Sequence, residues 1–303
     1  MSLQPPSDFN GRRVEQPIGT GFSIGTPRAT TQEETAQDFL GFFKNFQDTF
    51  GIQNFKIYIT GTMSSRPRCL DYDLTTAGES YAGRYIPYIA SAMIDANNTC
   101  YYDISGALIY DGVIGAFTTQ QEQVVAYPHV EKHNEIWGFN DTFMAALKEM
   151  HQTCGYEDYI NKYLTFPPPG IQPPLTFDYL KNESCDVFDL AYGAEIDLNP
   201  CFNIYEIVDH CPFPFDPLAS PAVGGVLQEG AEIYFRRPDV IEAMHAPKNI
   251  NWSDCSEHKV YLGGRAGPEL RGDLSLDPIQ HVLPKVIEHT NRVLVANADW
   301  GEY

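Results

Sequence analysis

The residues best suited to chemistry form one short run, Gly78-Glu79-Ser80-Tyr81-Ala82-Gly83. A serine among small residues, just ahead of a stretch with helical spacing, fits a nucleophile elbow. This is a tight strand-to-helix turn that exposes the hydroxyl. Small neighbours let strand and helix pack closely, and the N–H of the next residue, Tyr81, then faces the oxyanion formed when the serine attacks a carbonyl. Ala82 stands where the motif's last glycine belongs. The hexapeptide alone reads equally well as a serine capping an ordinary helix.

The flanking elements favour the elbow. Thr31 and Glu34 make a capping box, and Phe39, Leu40, Phe43, Phe46 and Phe50 recur at helical spacing, so residues 30–50 read as a helix. Residues 55–60 form a β-branched and aromatic run that reads as a buried strand, and 84–95 return to helix with Ile86, Ile89, Ala90 and Met93 on one face. Short apolar runs at 107–110, 258–262 and 292–295 read as further strands. Helices alternating with such strands predict an α/β fold with a largely parallel sheet. The middle differs: 136–165 carry two helical stretches, prolines at 167–169 and 173–174 break the chain, and 175–230 read as irregular. The expected organisation is a core in two parts, 1–135 and 231–303, with 136–230 as a helical, disulfide-bearing cap between them.

Composition narrows the function. Twenty Lys and Arg against forty Asp and Glu give a net charge of −20, which repels phosphate backbones and argues against nucleic-acid binding. No run approaches the roughly 18 apolar residues of a membrane-spanning helix, so no membrane partner is expected. Seven cysteines, at 69, 100, 154, 185, 201, 211 and 255, include no C-x-x-C pair. With sequons at Asn97, Asn140, Asn182 and Asn251, they fit a disulfide-bonded glycoprotein of an oxidising compartment. The N-terminus nevertheless shows no apolar signal segment. His129 and His133 share a helical face but lack a third ligand, and they read as surface residues, so no metal or other cofactor is expected. Arg271-Gly272-Asp273, an adhesion-like tripeptide, reads as incidental.

The elbow with the Arg84-Tyr85-Ile86-Pro87 that follows it resembles the serine carboxypeptidase family, a branch of the α/β-hydrolases, in its fungal form. Val14-Glu15-Gln16-Pro17-Ile18-Gly19-Thr20-Gly21-Phe22-Ser23 is similar to the family's segment before the nucleophile. Downstream, Arg237-Pro238-Asp239-Val240, Ala243-Met244-His245-Ala246, Asn251-Trp252-Ser253 and Cys255 resemble it too. Residues 291–299 are similar to the strand whose end carries the catalytic aspartate. The resemblance implies an α/β-hydrolase fold and a peptide or protein C-terminus as substrate. Ser80 would be acylated by the penultimate residue, with Asp299 orienting the catalytic histidine. Tyr81 would contribute to substrate binding, and Glu79 would lie beside the substrate's terminal carboxylate. Two carboxyls can share a hydrogen bond only if one is protonated, which favours acidic conditions. A secreted or vacuolar location is implied, and oligomeric state is left open.

Two departures qualify that picture. Strand 55–60 leads to Gly61, but seventeen residues, 62–78, precede Glu79; deleting them restores a gapless elbow and leaves six cysteines. They correspond to 51 nucleotides, in frame, with edges that can encode GT and AG, so 62–78 read as a translated intron. The family's histidine follows the aspartate in a Gly-His-Met context, whereas all eight histidines here precede Asp299. The His-Gly-Gly-Pro-Gly oxyanion segment is also absent; Gly19 and Gly21 read as close backbone packing. The sequence is therefore expected to be a hydrolase fragment shortened at both ends, with an incomplete core and weak or no activity. An acyltransferase or esterase on the same scaffold, or a catalytically dead relic, are the alternatives.

Overall fold

A computed structural model describes residues 14–61, 79–115, 122–173, 175, 185–213, 215–219, 226–253, 259–263 and 272–297. Helix α1, Gln32–Phe50, opens as expected: Thr31 accepts from the Glu34 N–H, and the Glu34 carboxylate reaches back to the Thr30 N–H at 2.6 Å. It ends at Gly51 in the left-handed conformation. Strand β1, Ile57–Gly61, precedes helix α2, Glu79–Ala96, and the one-turn helix α3, Thr99–Tyr102. Strand β2, Ile104–Tyr110, lies between β1 and β3, Val293–Ala296, and all three run parallel. The register pairs Gly61 with Ile109 and Tyr110 with Ala296, which brings the carboxyl ends of the three strands to one edge.

The first cluster of buried side chains joins this sheet to its helices. Ile86, Ile89, Ala90 and Met93 of α2 are all buried, as their spacing predicted, against Leu40 of α1 and Ile57, Ala107 and Ile109 of the sheet. Val282, between helix α10, Pro278–His281, and helix α11, Leu283–Thr290, completes it together with Val286 of α11, and α11 leads into β3. The expected aromatic face of α1 is buried in part: Phe39 and Phe43 pack on the core, while Phe50 is exposed.

The second cluster is helical. It is built from α4, Val124–Lys132; α5, Asn134–Trp137; α6, Asp141–Thr153; α7, Tyr156–Tyr163; and α8, Val187–Leu198. Trp137, Leu147, Tyr156, Phe202 and Ile204 are among its fully buried side chains. Cys154–Cys185 and Cys201–Cys211 cross-link it. Helix α8 corrects the irregular expectation for this stretch; the Asp186 carboxylate accepts from the Asp189 N–H and so starts the helix. A fully paired set of six cysteines is not what the described residues hold either, since Cys100 is exposed and unpaired, whereas Cys69 and Cys255 lie outside them.

The described part of the run at 258–262 does not form a strand. Of it, 259–262 are described, and the Leu262 N–H bonds the Ala29 carbonyl while the Gly263 N–H bonds Gly272, so the segment is held by loops rather than by the sheet. Helix α9, Pro238–Ala243, follows a short 3₁₀ turn at Tyr234–Arg236. Among the described residues, no helix is long and apolar enough to cross a membrane.

Candidate active site

Glu79 and Ser80 form the start of α2. Their backbone is helical; their side chains, like Asp299, Asn182 and all of 62–78, lie outside what the structure describes. The neighbours of this first turn are well defined. A Cβ added to Gly83 would fall 2.6 Å from the Val113 carbonyl oxygen and 2.9 Å from its carbon. Gly112 and Val113 follow directly after β2, so Gly83 seats the opening of α2 at the carboxyl edge of the sheet. Only a residue without a side chain fits there.

Tyr81 and Arg84 then fasten the turn. Both are buried, at 8% and 2% exposure, and both donate to Asp273, which is fully buried. The Tyr81 hydroxyl is 2.5 Å and the Arg84 Nε 3.3 Å from Asp273 Oδ2. Arg84 Nη2 also donates to the Ser275 and Leu276 carbonyls, and the Tyr88 hydroxyl shares the latter. Burial foremost, and then the Asp273 carboxylate, push the Tyr81 phenol well above its ordinary range, so it remains a donor. Tyr261, whose ring lies 6.2 Å from that of Tyr81, is raised chiefly by burial and meets Thr35 Oγ1 at 3.0 Å.

Asp273 belongs to the tripeptide that read as incidental. Its full burial rules out an adhesion role and makes it a structural hub instead. The signal for it was an arginine inside an otherwise apolar face, Arg84 beside Tyr85, Ile86 and Ile89; such a residue needs a buried partner.

On the amino-terminal side, Glu15 receives the Phe22 N–H at 2.5 Å and the Trp252 indole N–H at 3.4 Å. Gly21, at φ +50°, lies against the Glu15 carboxylate, so the contact is with a side chain and not the close backbone packing expected of Gly19 and Gly21. Phe235 lies between Phe22, which it meets edge to face, and Trp252, which it meets at a tilt, so the segments 14–23 and 234–252 are fixed together.

Other candidates fall elsewhere. Asn97, Asn140 and Asn251 are exposed. His129 and His133 have ring centroids 4.8 Å apart near Trp137, and His133 is buried, which corrects their reading as surface residues. Among the described residues no group of three His, Cys, Asp or Glu is arranged to hold a metal ion. His281 packs beside α2, with its ring 6.2 Å from that of Tyr88 and its Nε2 3.8 Å from Glu33.

A family model described as serine carboxypeptidase matches residues 13–300. Serine-type carboxypeptidase F of Aspergillus niger is 50% identical over 287 residues, covering 95% of this chain and 50% of that protein. A probable serine carboxypeptidase of Arthroderma benhamiae is 37% identical over 294 residues, covering 97% of this chain and 50% of that one. Among solved structures, Kex1(Δ)p, a prohormone-processing carboxypeptidase from Saccharomyces cerevisiae, superposes with a TM-score of 0.60 at 20% identity, over 95% of this chain and 55% of that one. At that identity the likeness bears on the fold, and it bears out the α/β-hydrolase expectation. The chain spans about half the length of the curated relatives it matches.

Proposed function

The chain belongs to the serine carboxypeptidase family, and from that premise we propose that it carries the nucleophile of an enzyme that removes C-terminal residues from peptides and proteins. The Ser80 hydroxyl attacks the last peptide carbonyl and passes its proton to an imidazole, which in the resemblance follows Asp299 in sequence. The oxyanion is met by the Tyr81 N–H. That group is available because the first four N–H groups of a helix have no carbonyl partner within it. Collapse of the tetrahedral intermediate breaks the C–N bond and releases the C-terminal amino acid with the proton returned to its amine. Water then enters by the same route, cleaves the Ser80 ester and regenerates the hydroxyl. Glu79, next to the nucleophile, shares a proton with the substrate's terminal carboxylate.

The observation that carries this reading is the contact of Gly83 with Gly112–Val113, which opens the Ser80-bearing helix at the carboxyl edge of a parallel sheet. Ligands of open α/β sheets collect at that edge. The two buried clusters, the second of which begins at Val124, support the division into core and helical insertion. Two disulfides and three exposed sequon asparagines support residence in an oxidising compartment, secreted or vacuolar.

A fluorophosphonate probe with peptide mapping tests the nucleophile in the expressed full-length protein, and a blocked dipeptide tests the reaction. Labelling at Ser80, release of the free C-terminal amino acid, and loss of both in Ser80→Ala are expected. Release of an alcohol from simple esters without any cleavage of the dipeptide would overturn the peptidase assignment.

A further inference from the structure

We propose that Asp273 is a positioning residue for the nucleophile turn, acting through Tyr81 and Arg84 to fix the N–H of Tyr81 against the oxyanion. This rests on the reading of Ser80 as nucleophile and adds a residue outside the motif that carries it.

Asp273 collects five hydrogen bonds. Oδ2 accepts from the Tyr81 hydroxyl at 2.5 Å, Gln32 Nε2 at 2.8 Å and Arg84 Nε at 3.3 Å. Oδ1 accepts from the Ser275 N–H at 2.9 Å and the Ser275 hydroxyl at 2.5 Å. A carboxylate offers roughly four lone-pair directions, so this one is fully engaged. Its donors come from α1, from the first and second turns of α2, and from its own loop. The loop is braced in turn, because the Gln32 N–H donates to Ser275 Oγ.

The geometry restrains the part of α2 that chemistry needs held. Tyr81 and Arg84 are three residues apart and therefore share one face of the helix. With both tied to one carboxylate, the opening turn can neither rotate about the helix axis nor slide along it. Stability alone explains such a network poorly, since apolar residues of similar volume often replace a buried ion pair at no cost. Orientation explains it better. An oxyanion donor has to lie about 2.7–3.1 Å from its target, and a misplacement of about 1 Å can cost on the order of 100-fold in rate. Tyr81 carries both the N–H that would meet the oxyanion and the hydroxyl that Asp273 holds.

The test compares wild type, Tyr81→Phe, Asp273→Asn and the double variant of the expressed full-length protein. The readouts are kcat per fluorophosphonate-titrated site, KM for a blocked dipeptide, and Tm. Tyr81→Phe is expected to lower kcat about tenfold with KM within about twofold, the signature of an interaction that matters in the transition state. Asp273→Asn should lower kcat at least as far, and the double variant should be no worse than Asp273→Asn, because Tyr81 acts through that carboxylate. A lowered Tm with wild-type kcat per titrated site would overturn the proposal, and so would a raised KM at unchanged kcat. If Asp273→Asn does not fold, Tyr81→Phe, which loses a single oxygen, decides alone. A wild type that fails to label at Ser80 overturns the nucleophile reading itself, so the wild type and the variants answer separate questions.

Discussion

Arg84 and Asp273, 189 residues apart in sequence, meet as an ion pair with 2% and 0% of their side chains exposed. The pair ties the start of α2 to the loop that precedes α10, so the two ends of the described core depend on each other. Removing one member of a buried pair leaves an uncompensated charge.

Arg84→Met is therefore expected to destabilise the protein by about 3–5 kcal/mol. Arg84→Lys should recover little. A single ammonium cannot reproduce a fork that reaches Asp273 through Nε and the Ser275 and Leu276 carbonyls through Nη2. Urea unfolding midpoints at fixed pH measure both, and a Lys variant as stable as wild type would contradict the fork argument.

Gly83 sets a steric limit. In Gly83→Ala the new methyl meets backbone atoms of Val113, which cannot swing aside as a side chain could. A loss of about 1–3 kcal/mol is expected from this overpacking, together with slower fluorophosphonate labelling of Ser80. Gly41→Ala is the control. It lies on α1 with nothing within 4 Å of the added carbon, so it should stabilise by about 0.5–1 kcal/mol. Equal effects at the two positions would mean that helix propensity, not the Val113 contact, governs Gly83.

Asn140 has two separable roles. Its Oδ1 caps α6 by accepting from the Phe143 N–H at 3.0 Å, which leaves its amide nitrogen for a glycan. Thr142→Ala removes the sequon and keeps the cap, so it should remove one glycan by mass with Tm nearly unchanged. Asn140→Ala removes both and should cost a further ~1 kcal/mol. Identical masses for wild type and Thr142→Ala, expressed in a eukaryotic secretory host, would show that the site goes unused.

Much of the fold was legible because it rests on periodicity. The capping box at Thr31 and Glu34, the apolar face of α2 and the strands β1, β2 and β3 all follow from local spacing. The failures share a physical cause as well. Residues 258–262 have strand composition, yet Val260 and Tyr261 are buried by side-chain packing while the backbone bonds loops. Helix α8 was hidden because the apolar residues Val187, Phe188 and Ala191 sit among prolines and cysteines that suggested irregularity. The site divides likewise. Ser80 and Gly83 announce themselves within one motif, whereas Asp273 does its work across 192 residues from Tyr81, a separation no local pattern encodes.

Glu195 couples the stability of the helical cluster to pH. It sits in α8 at 4% exposure, its Oε2 accepts no hydrogen bond, and burial raises its pKa from the ordinary 4.5 to about 7. The folded state thus holds this proton more tightly than the unfolded chain does. Its contribution is fully present below pH 4.5 and is lost as pH rises through 7. His151, buried in α6 and lowered by that burial, acts in the opposite sense, because it must gain a proton on unfolding as pH falls. The two oppose each other in the wild-type curve, so the difference between variants is the informative quantity. Glu195→Gln remains neutral throughout and leaves His151 in place. Its Tm should match wild type near pH 4.5 and exceed it at pH 8, by an amount equivalent to on the order of 2–3 kcal/mol. A difference that stays flat from pH 4.5 to 8 would show that Glu195 is ionised in the folded protein and that the helical cluster carries no acid-favouring group at this position.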